Sequence, residues 1–153
     1  MHIVLVNPEI PPNTGNIARL CLAAGATLHL IRPLGFSIDD KTLKRAGMDY
    51  WQHVDLHIWD DLPACQSAAN LTATWWYLTT KTTRIYHQAP FKKGDYLVFG
   101  RETKGLPESL LAENAATCLT IPMQPIARSL NLATSVGIVL YEALRQTSNM
   151  QSP

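Results

Sequence analysis

Cysteine is scarce in this chain of 153 residues: Cys21, Cys65 and Cys118 stand far apart, with no C-x-x-C pair among them. An odd and scattered set excludes a disulfide framework and a zinc motif, so the three read as reduced apolar fillers. Charge is sparse as well. Charged residues make up 16% of the chain, against about 25% in an average globular protein. With 13 basic and 12 acidic residues the formal net charge is +1. That excludes a basic protein that coats nucleic acid nonspecifically and leaves any RNA contact to a local patch. A surface short of charge points to an apolar contact between copies of the chain, a homodimer being the simplest case. No apolar run reaches the ~18 residues of a membrane span. Residues 1–6 are too short for the apolar region of a signal peptide before Asn7-Pro8 intervenes. Repeats are absent too, and the expectation is a cytoplasmic protein with no membrane partner.

What is present is a persistent alternation of strand and helix signals. Short runs rich in Ile and Val, such as residues 2–6, suit buried parallel strands. Ile17, Leu20, Cys21 and Ala24 recur at helical spacing and stop at Gly25, which predicts a helix over 14–24 capped near Asn13 or Thr14. Further strands are expected at 27–31, 54–58, 73–78, 95–99 and 117–121, with a helix over 60–69 and a short basic helix capped by Asp39-Asp40. The longest helix is expected over 129–146. Its only formal charge between Leu130 and Leu144 is Glu142, and its apolar residues occupy every face, so it is expected to be buried on all sides, by its own sheet and by a partner chain. A single α/β domain over residues 1–146, with a disordered tail at 147–153, accounts for the whole pattern.

Ligands bind α/β sheets at loops that follow the strands. No G-x-G-x-x-G follows the first strand, and Gly100-Arg-Glu-Thr-Lys-Gly105 continues into Leu106-Pro107, where a phosphate loop requires Lys and Ser or Thr. A nucleoside triphosphatase is thereby excluded. Two glycines around Glu102 are left, either an ordinary turn or a loop that admits a flat ligand close to the backbone. In Asn13-Thr-Gly-Asn16-Ile-Ala-Arg19, Asn16 and Arg19 share a helix face. They form either a phosphate or ribose grip or merely the surface of a capped helix. Residues 121–131, Ile-Pro-Met-Gln-Pro-Ile-Ala-Arg-Ser-Leu-Asn, make a proline-bearing loop leading into the last helix.

Taken together these segments, with Gly47-Met-Asp-Tyr50, Phe99-Gly-Arg-Glu-Thr-Lys-Gly-Leu-Pro107, Arg128-Ser-Leu-Asn-Leu132 and Tyr141-Glu142, resemble the SPOUT superfamily of RNA methyltransferases. The resemblance is to its TrmH-type ribose 2′-O-methyltransferases, and among them to the branch acting on the wobble nucleotide of tRNA. It covers nearly the whole chain and departs at Ala133-Thr134-Ser135, where Ser-Asn-Ala is usual. The resemblance implies a mostly parallel sheet with helices on both faces, a trefoil knot threading residues 78 to 146, and a homodimer packed through the first and last helices. It also implies S-adenosyl-L-methionine as methyl donor, S-adenosyl-L-homocysteine as product, no metal, and a tRNA anticodon stem-loop, leucine isoacceptors included, as substrate. The cofactor-binding residues it implies are Leu78, Thr79, Gly100, Glu102, Gly105, Leu106, Ile121, Met123, Ser129, Leu130 and Ala133. The catalytic group is Arg19, with Asn13, Glu102, Ser129 and Asn131 around it.

An arginine loses its proton only above pH ~12, so Arg19 reads better as a phosphate grip than as a base, with a substrate phosphate or Glu102 relaying the proton. Lys41, Lys44, Arg45, Lys81, Arg84, Lys92, Lys93, Arg101, Lys104 and Arg128 are the candidates for RNA contact. Trp51, Trp59, Trp75 and Trp76 suit core positions better than base stacking. His53 and His57 have the spacing of a metal pair only if helical, without a third ligand, and read as structural. The competing readings are methylation of another tRNA or rRNA nucleotide, a noncatalytic RNA-binding module, and a nucleotide-binding oxidoreductase.

Overall fold

The computed structural model describes residues 1–38, 41 and 48–147. Six strands form one parallel sheet in the order β3-β2-β1-β5-β4-β6. They are β1 (His2–Val6), β2 (Thr27–Ile31), β3 (Leu56–Trp59), β4 (Trp75–Leu78), β5 (Tyr96–Phe99) and β6 (Cys118–Leu119). The helices bounded among the described residues are α1 (Pro11–Ala24), α2 (Leu62–Ala68), α3 (Glu108–Glu113) and α4 (Leu132–Thr147). β1 lies at the centre: the chain leaves it for β2 and β3 on one side, then returns to place β5 between β1 and β4. Beyond β6, residues 84–86 pair with Thr120.

Side chains alternate across this sheet as the pleat requires. Ile3, Leu5, Leu28, Leu30, Leu97 and Phe99 face α1 and α4, packing with Ile17, Cys21, Val136, Val139 and Leu140. Val4, Val6, Ile31, Tyr77 and Val98 face the other way, onto Cys65 of α2 and Leu111 of α3. All three cysteines are free and buried. Burial pushes the Cys21 thiol up to about 12 and Cys65 up to about 11, so both stay protonated and inert.

On the α2/α3 face, a row of rings crosses the sheet near the amino-terminal ends of its strands. Trp75 stacks on Tyr96 at 4.1 Å, Tyr96 on His2 at 4.2 Å, and His29 lies 5.3 Å from His57. The Trp59 indole donates to His29 Nδ1 at 3.0 Å, which leaves the hydrogen on Nε2, facing His2 Nδ1 at 3.0 Å. His29 is therefore neutral, and burial, with His2 and His57 adding to it, holds its pKa down at about 3. Buried Asp95 locks the same end of the sheet: Oδ1 accepts from the Thr74 amide at 3.0 Å, and Oδ2 from Trp76 Nε1 and the Lys92 amide, each at 2.9 Å.

The strands lie where the sequence pattern places them, with ends shifted by a few residues. Two expectations need correction. α1 starts at Pro11, three residues early, with Pro at its first positions and Ile10 as an N-cap that makes no side-chain bond. The last helix starts at Leu132, and Asn131 caps it by accepting from the Thr134 amide at 3.2 Å. Within its own chain Val136, Val139, Leu140 and Ala143 are buried while Tyr141 is 43% exposed, which leaves the side expected to meet a partner chain uncovered. The segment capped by Asp39-Asp40, with Lys44 and Arg45, lies outside the described residues, as does 148–153.

Candidate active site

Loops at the carboxyl ends of β4, β5 and β6 enclose a cavity of about 680 Å³, within the range of small-molecule sites. Leu78, Phe99, Leu106, Ile121, Met123 and Leu130 give it apolar walls, and Thr79, Ser129 and Asn131 contribute polar groups. Ile10 and Asn13 reach it from the start of α1. Of the residues implied by the resemblance, every one lines this cavity except Arg19 and Ala133. Arg19 is exposed on the third turn of α1, its guanidinium 5.7 Å above the ring of Tyr50.

The glycine loop owes its shape to both of its glycines. Gly105 takes a left-handed φ of +66°, and Arg101 and Gly105 exchange backbone hydrogen bonds of 2.9 and 3.3 Å across the turn. Gly100 is packed so tightly that a Cβ there would run into the Gly105 carbonyl carbon and the Leu106 nitrogen. Gly100 thus lets the turn close on itself, while the space beside Gly105 stays open.

Between the glycines, Glu102 accepts from the amides of Glu9 (2.8 Å) and Ile10 (3.0 Å) and from Asn13 Nδ2 (3.3 Å). It supplies from the opposite end of the sequence the acceptor that α1 lacks at its N-terminus, where a negative charge is also favoured by the helix dipole. Asn131 Nδ2 donates to Asn13 Oδ1 at 3.0 Å, so Glu102, Asn13 and Asn131 form one chain of hydrogen bonds joining the first turn of α1 to two loops. Asn7, left-handed at φ 52°, turns the chain out of β1 and donates to the carbonyl of Arg32 at 2.8 Å.

Arg101, Lys104 and Arg128 line the cavity and Lys81 sits at its mouth, paired with Glu108 at 2.7 Å. Lys92 and Lys93 precede β5 and lie at the opposite end of the sheet. Arg84 stacks on Trp76 and donates to the Ala116 carbonyl, which gives it a structural use. His53 ends a 3-10 turn while His57 stands in β3 against Asp55 at 3.0 Å, so the pair is not helical. Among the described residues no three His, Cys, Asp or Glu side chains gather as a metal site, and no helix is long and apolar enough to cross a membrane. Sequence reasoning missed Glu9 and Thr103, whose contact spans 94 positions and leaves no local trace.

A parallel sheet that reverses its strand order beside a glycine-bounded loop and an apolar cavity defines an α/β protein built to hold a nucleoside-sized ligand. The chain belongs to the SpoU rRNA methylase family, which matches residues 1–141. It is 50% identical to a tRNA (cytidine(34)-2′-O)-methyltransferase of Saccharophagus degradans, with 95% of this chain and 94% of that one covered. Identity to the enzyme of the same name in Escherichia coli is 48%, over 95% and 93% of the two chains. A solved structure described as giving insight into the 2-OH methylation of C/U34 on tRNA superposes with a TM-score of 0.90 at 49% identity, covering 95% of this chain and 94% of that one. An AdoMet-bound rRNA methyltransferase from Sinorhizobium meliloti superposes at 0.82 with 29% identity, covering 99% of this chain and 57% of that one.

Proposed function

We propose that this protein is an S-adenosyl-L-methionine-dependent methyltransferase acting on the ribose 2′-hydroxyl of the wobble cytidine or uridine in the anticodon stem-loop of tRNA, with S-adenosyl-L-homocysteine as product. The observation that carries the reading is the cavity at the carboxyl ends of β4 to β6, in a chain about half identical over nearly its full length to enzymes named for that reaction. The cofactor, when bound, supplies a methyl group activated by a positively charged sulfonium.

The chain contributes shape and placement. Gly100 lets the turn close on itself, Gly105 leaves backbone open toward the ligand, the apolar walls from Leu78, Ile121, Met123 and Leu130 exclude water, and Thr79, Ser129 and Asn131 offer hydrogen bonds. Tyr50 beneath the Arg19 guanidinium leaves its donors free to grip the phosphate beside the target ribose. Three N–H groups already occupy acceptor sites of Glu102, which weakens it as a base, so the hydroxyl proton is relayed by the substrate phosphate that Arg19 holds or by the one acceptor site left on Glu102. Arg19 stands outside the cavity of its own chain, on the helix whose neighbour α4 exposes Tyr141. A homodimer through α1 and α4 accounts for both facts and for the sparse charge.

Calorimetric titration with the cofactor and single-turnover methylation of an anticodon stem-loop test this together. Arg19→Ala should abolish transfer while leaving cofactor affinity within a few-fold. RNA binding without any cofactor binding would overturn the reading in favour of a noncatalytic RNA module.

A further inference from the structure

Two glutamates cross between the loops that follow β1 and β5. Glu102 reaches back to the Glu9 and Ile10 amides, while Glu9 reaches forward to Thr103, accepting from its amide at 3.1 Å and its hydroxyl at 3.0 and 2.9 Å. The first arm has a structural use, since it completes the N-terminus of α1. The second has none in the core: Thr103 is exposed and lies outside every helix and strand. What Glu9 fixes is the tip of the turn between Arg101 and Gly105, and that turn lines the cavity.

Glu9 is itself braced from behind. Gly35, in the loop after β2, lies so close that a Cβ there would stand 2.8 Å from the Glu9 Cα and 2.9 Å from its carbonyl oxygen. The Gly35 amide donates to the Pro8 carbonyl at 2.9 Å. Glu9 is therefore packed between the Gly35 loop behind it and a turn that Glu102 ties to the start of α1 and that Glu9 itself ties at Thr103.

We infer that Glu9 is a positioning residue for the cofactor: through Thr103 it holds the turn between Arg101 and Gly105 in its binding shape, with Gly35 as the backstop. The inference rests on the reading of that cavity as the S-adenosyl-L-methionine site. A wall ordered before the ligand arrives spares the ligand the cost of ordering it, and a carboxylate accepting an amide and a hydroxyl is a strong means of doing so. Glu9 acts through Thr103 and is not assigned to the reacting atoms.

The test compares Glu9→Ala, Glu9→Gln, Thr103→Val and the Glu9→Ala/Thr103→Val double variant by two readouts: amide exchange of residues 102–105 in the free protein, and calorimetric affinity for S-adenosyl-L-methionine. Glu9→Ala should speed exchange at the Thr103 amide and weaken cofactor binding about tenfold, with amide exchange in the body of α1 unchanged. Glu9→Gln keeps one acceptor oxygen and should recover part of the affinity. The double variant should bind no more weakly than Glu9→Ala, because both changes remove the same contact. Unchanged loop exchange, or faster exchange with parental affinity, overturns the inference. Thr103→Val reads the same contact from its exposed side should Glu9→Ala fail to fold. A parent protein that binds no cofactor would instead overturn the reading of the cavity, and the inference with it.

Discussion

The glycines that bound the loop after β5 are needed for opposite reasons, and alanine separates them. At Gly105 an added Cβ meets nothing within 4 Å, so alanine bears only the penalty of a left-handed backbone at φ +66°, about 1–2 kcal/mol. In a domain of this size that lowers the melting temperature by about 2–8 °C. At Gly100 the added Cβ meets main chain, the Gly105 carbonyl carbon and the Leu106 nitrogen, which no rotamer change can move aside. To restore ordinary contact the turn must open by about an ångström or more. That opening breaks the paired bonds between Arg101 and Gly105, at about 1 kcal/mol each, and adds overpacking of about 1–3 kcal/mol. It also displaces Gly105 and Leu106, which wall the cavity. Gly100→Ala should therefore weaken S-adenosyl-L-methionine by about a hundredfold or more, the equivalent of at least about 2.7 kcal/mol, whereas Gly105→Ala should stay within about tenfold of the parent. Scanning calorimetry and isothermal titration of both variants measure these quantities. Parental cofactor affinity in Gly100→Ala, or a larger loss in Gly105→Ala, would refute the reasoning.

Asp95→Asn keeps the shape but turns one acceptor into a donor amid three N–H groups; a loss of about 2–4 kcal/mol is expected by urea unfolding, and a change below about 0.5 kcal/mol would count against the lock. Because the folded pKa of His29 lies below its unfolded value, the unfolded chain binds the extra proton. Stability should thus hold above pH about 6.5 and fall as the pH drops toward the folded value of about 3. Urea midpoints across this window should fall less steeply in His29→Leu, and an unchanged slope would remove His29 as the cause. Val136 is wholly buried within its own chain, so Val136→Glu should unfold the protein, at a cost of several kcal/mol. Tyr141→Glu should keep the parental circular dichroism and yield a monomer by light scattering; a stable dimer there would place the contact elsewhere.

Local sequence carried the strands and the ends that depend on neighbouring residues. The apolar runs of β1 and β2 and the left-handed stop at Gly25 are visible in a few adjacent residues. The start of α1 is not legible locally, because the amides of Glu9 and Ile10 just ahead of it are satisfied by Glu102, some ninety positions away, and no neighbouring side chain caps it. Glu9 escaped notice for the same reason. That Val136 is buried within its own chain was not legible, because apolar composition fixes how greasy a helix is and not which face its own sheet covers. The motif residues around the cavity were legible through resemblance, while spacing alone left the glycine loop open between a turn and a ligand site.

The two-residue length of β6 bears on how the protein fails. It covers β4 only at Tyr77 and Leu78, and β4 reads Trp75-Trp76-Tyr77-Leu78, an uncharged aromatic run. Such a segment with a bare edge is a template for strand addition by another molecule. Loss of β6 and of the bridge at Thr120 during partial unfolding uncovers that template while the central strands are still paired. Heat-induced aggregates of this protein should accordingly grow from the β4 edge, and a charge on the outer rim of β6 is a poor guard against them compared with one placed on β4 itself.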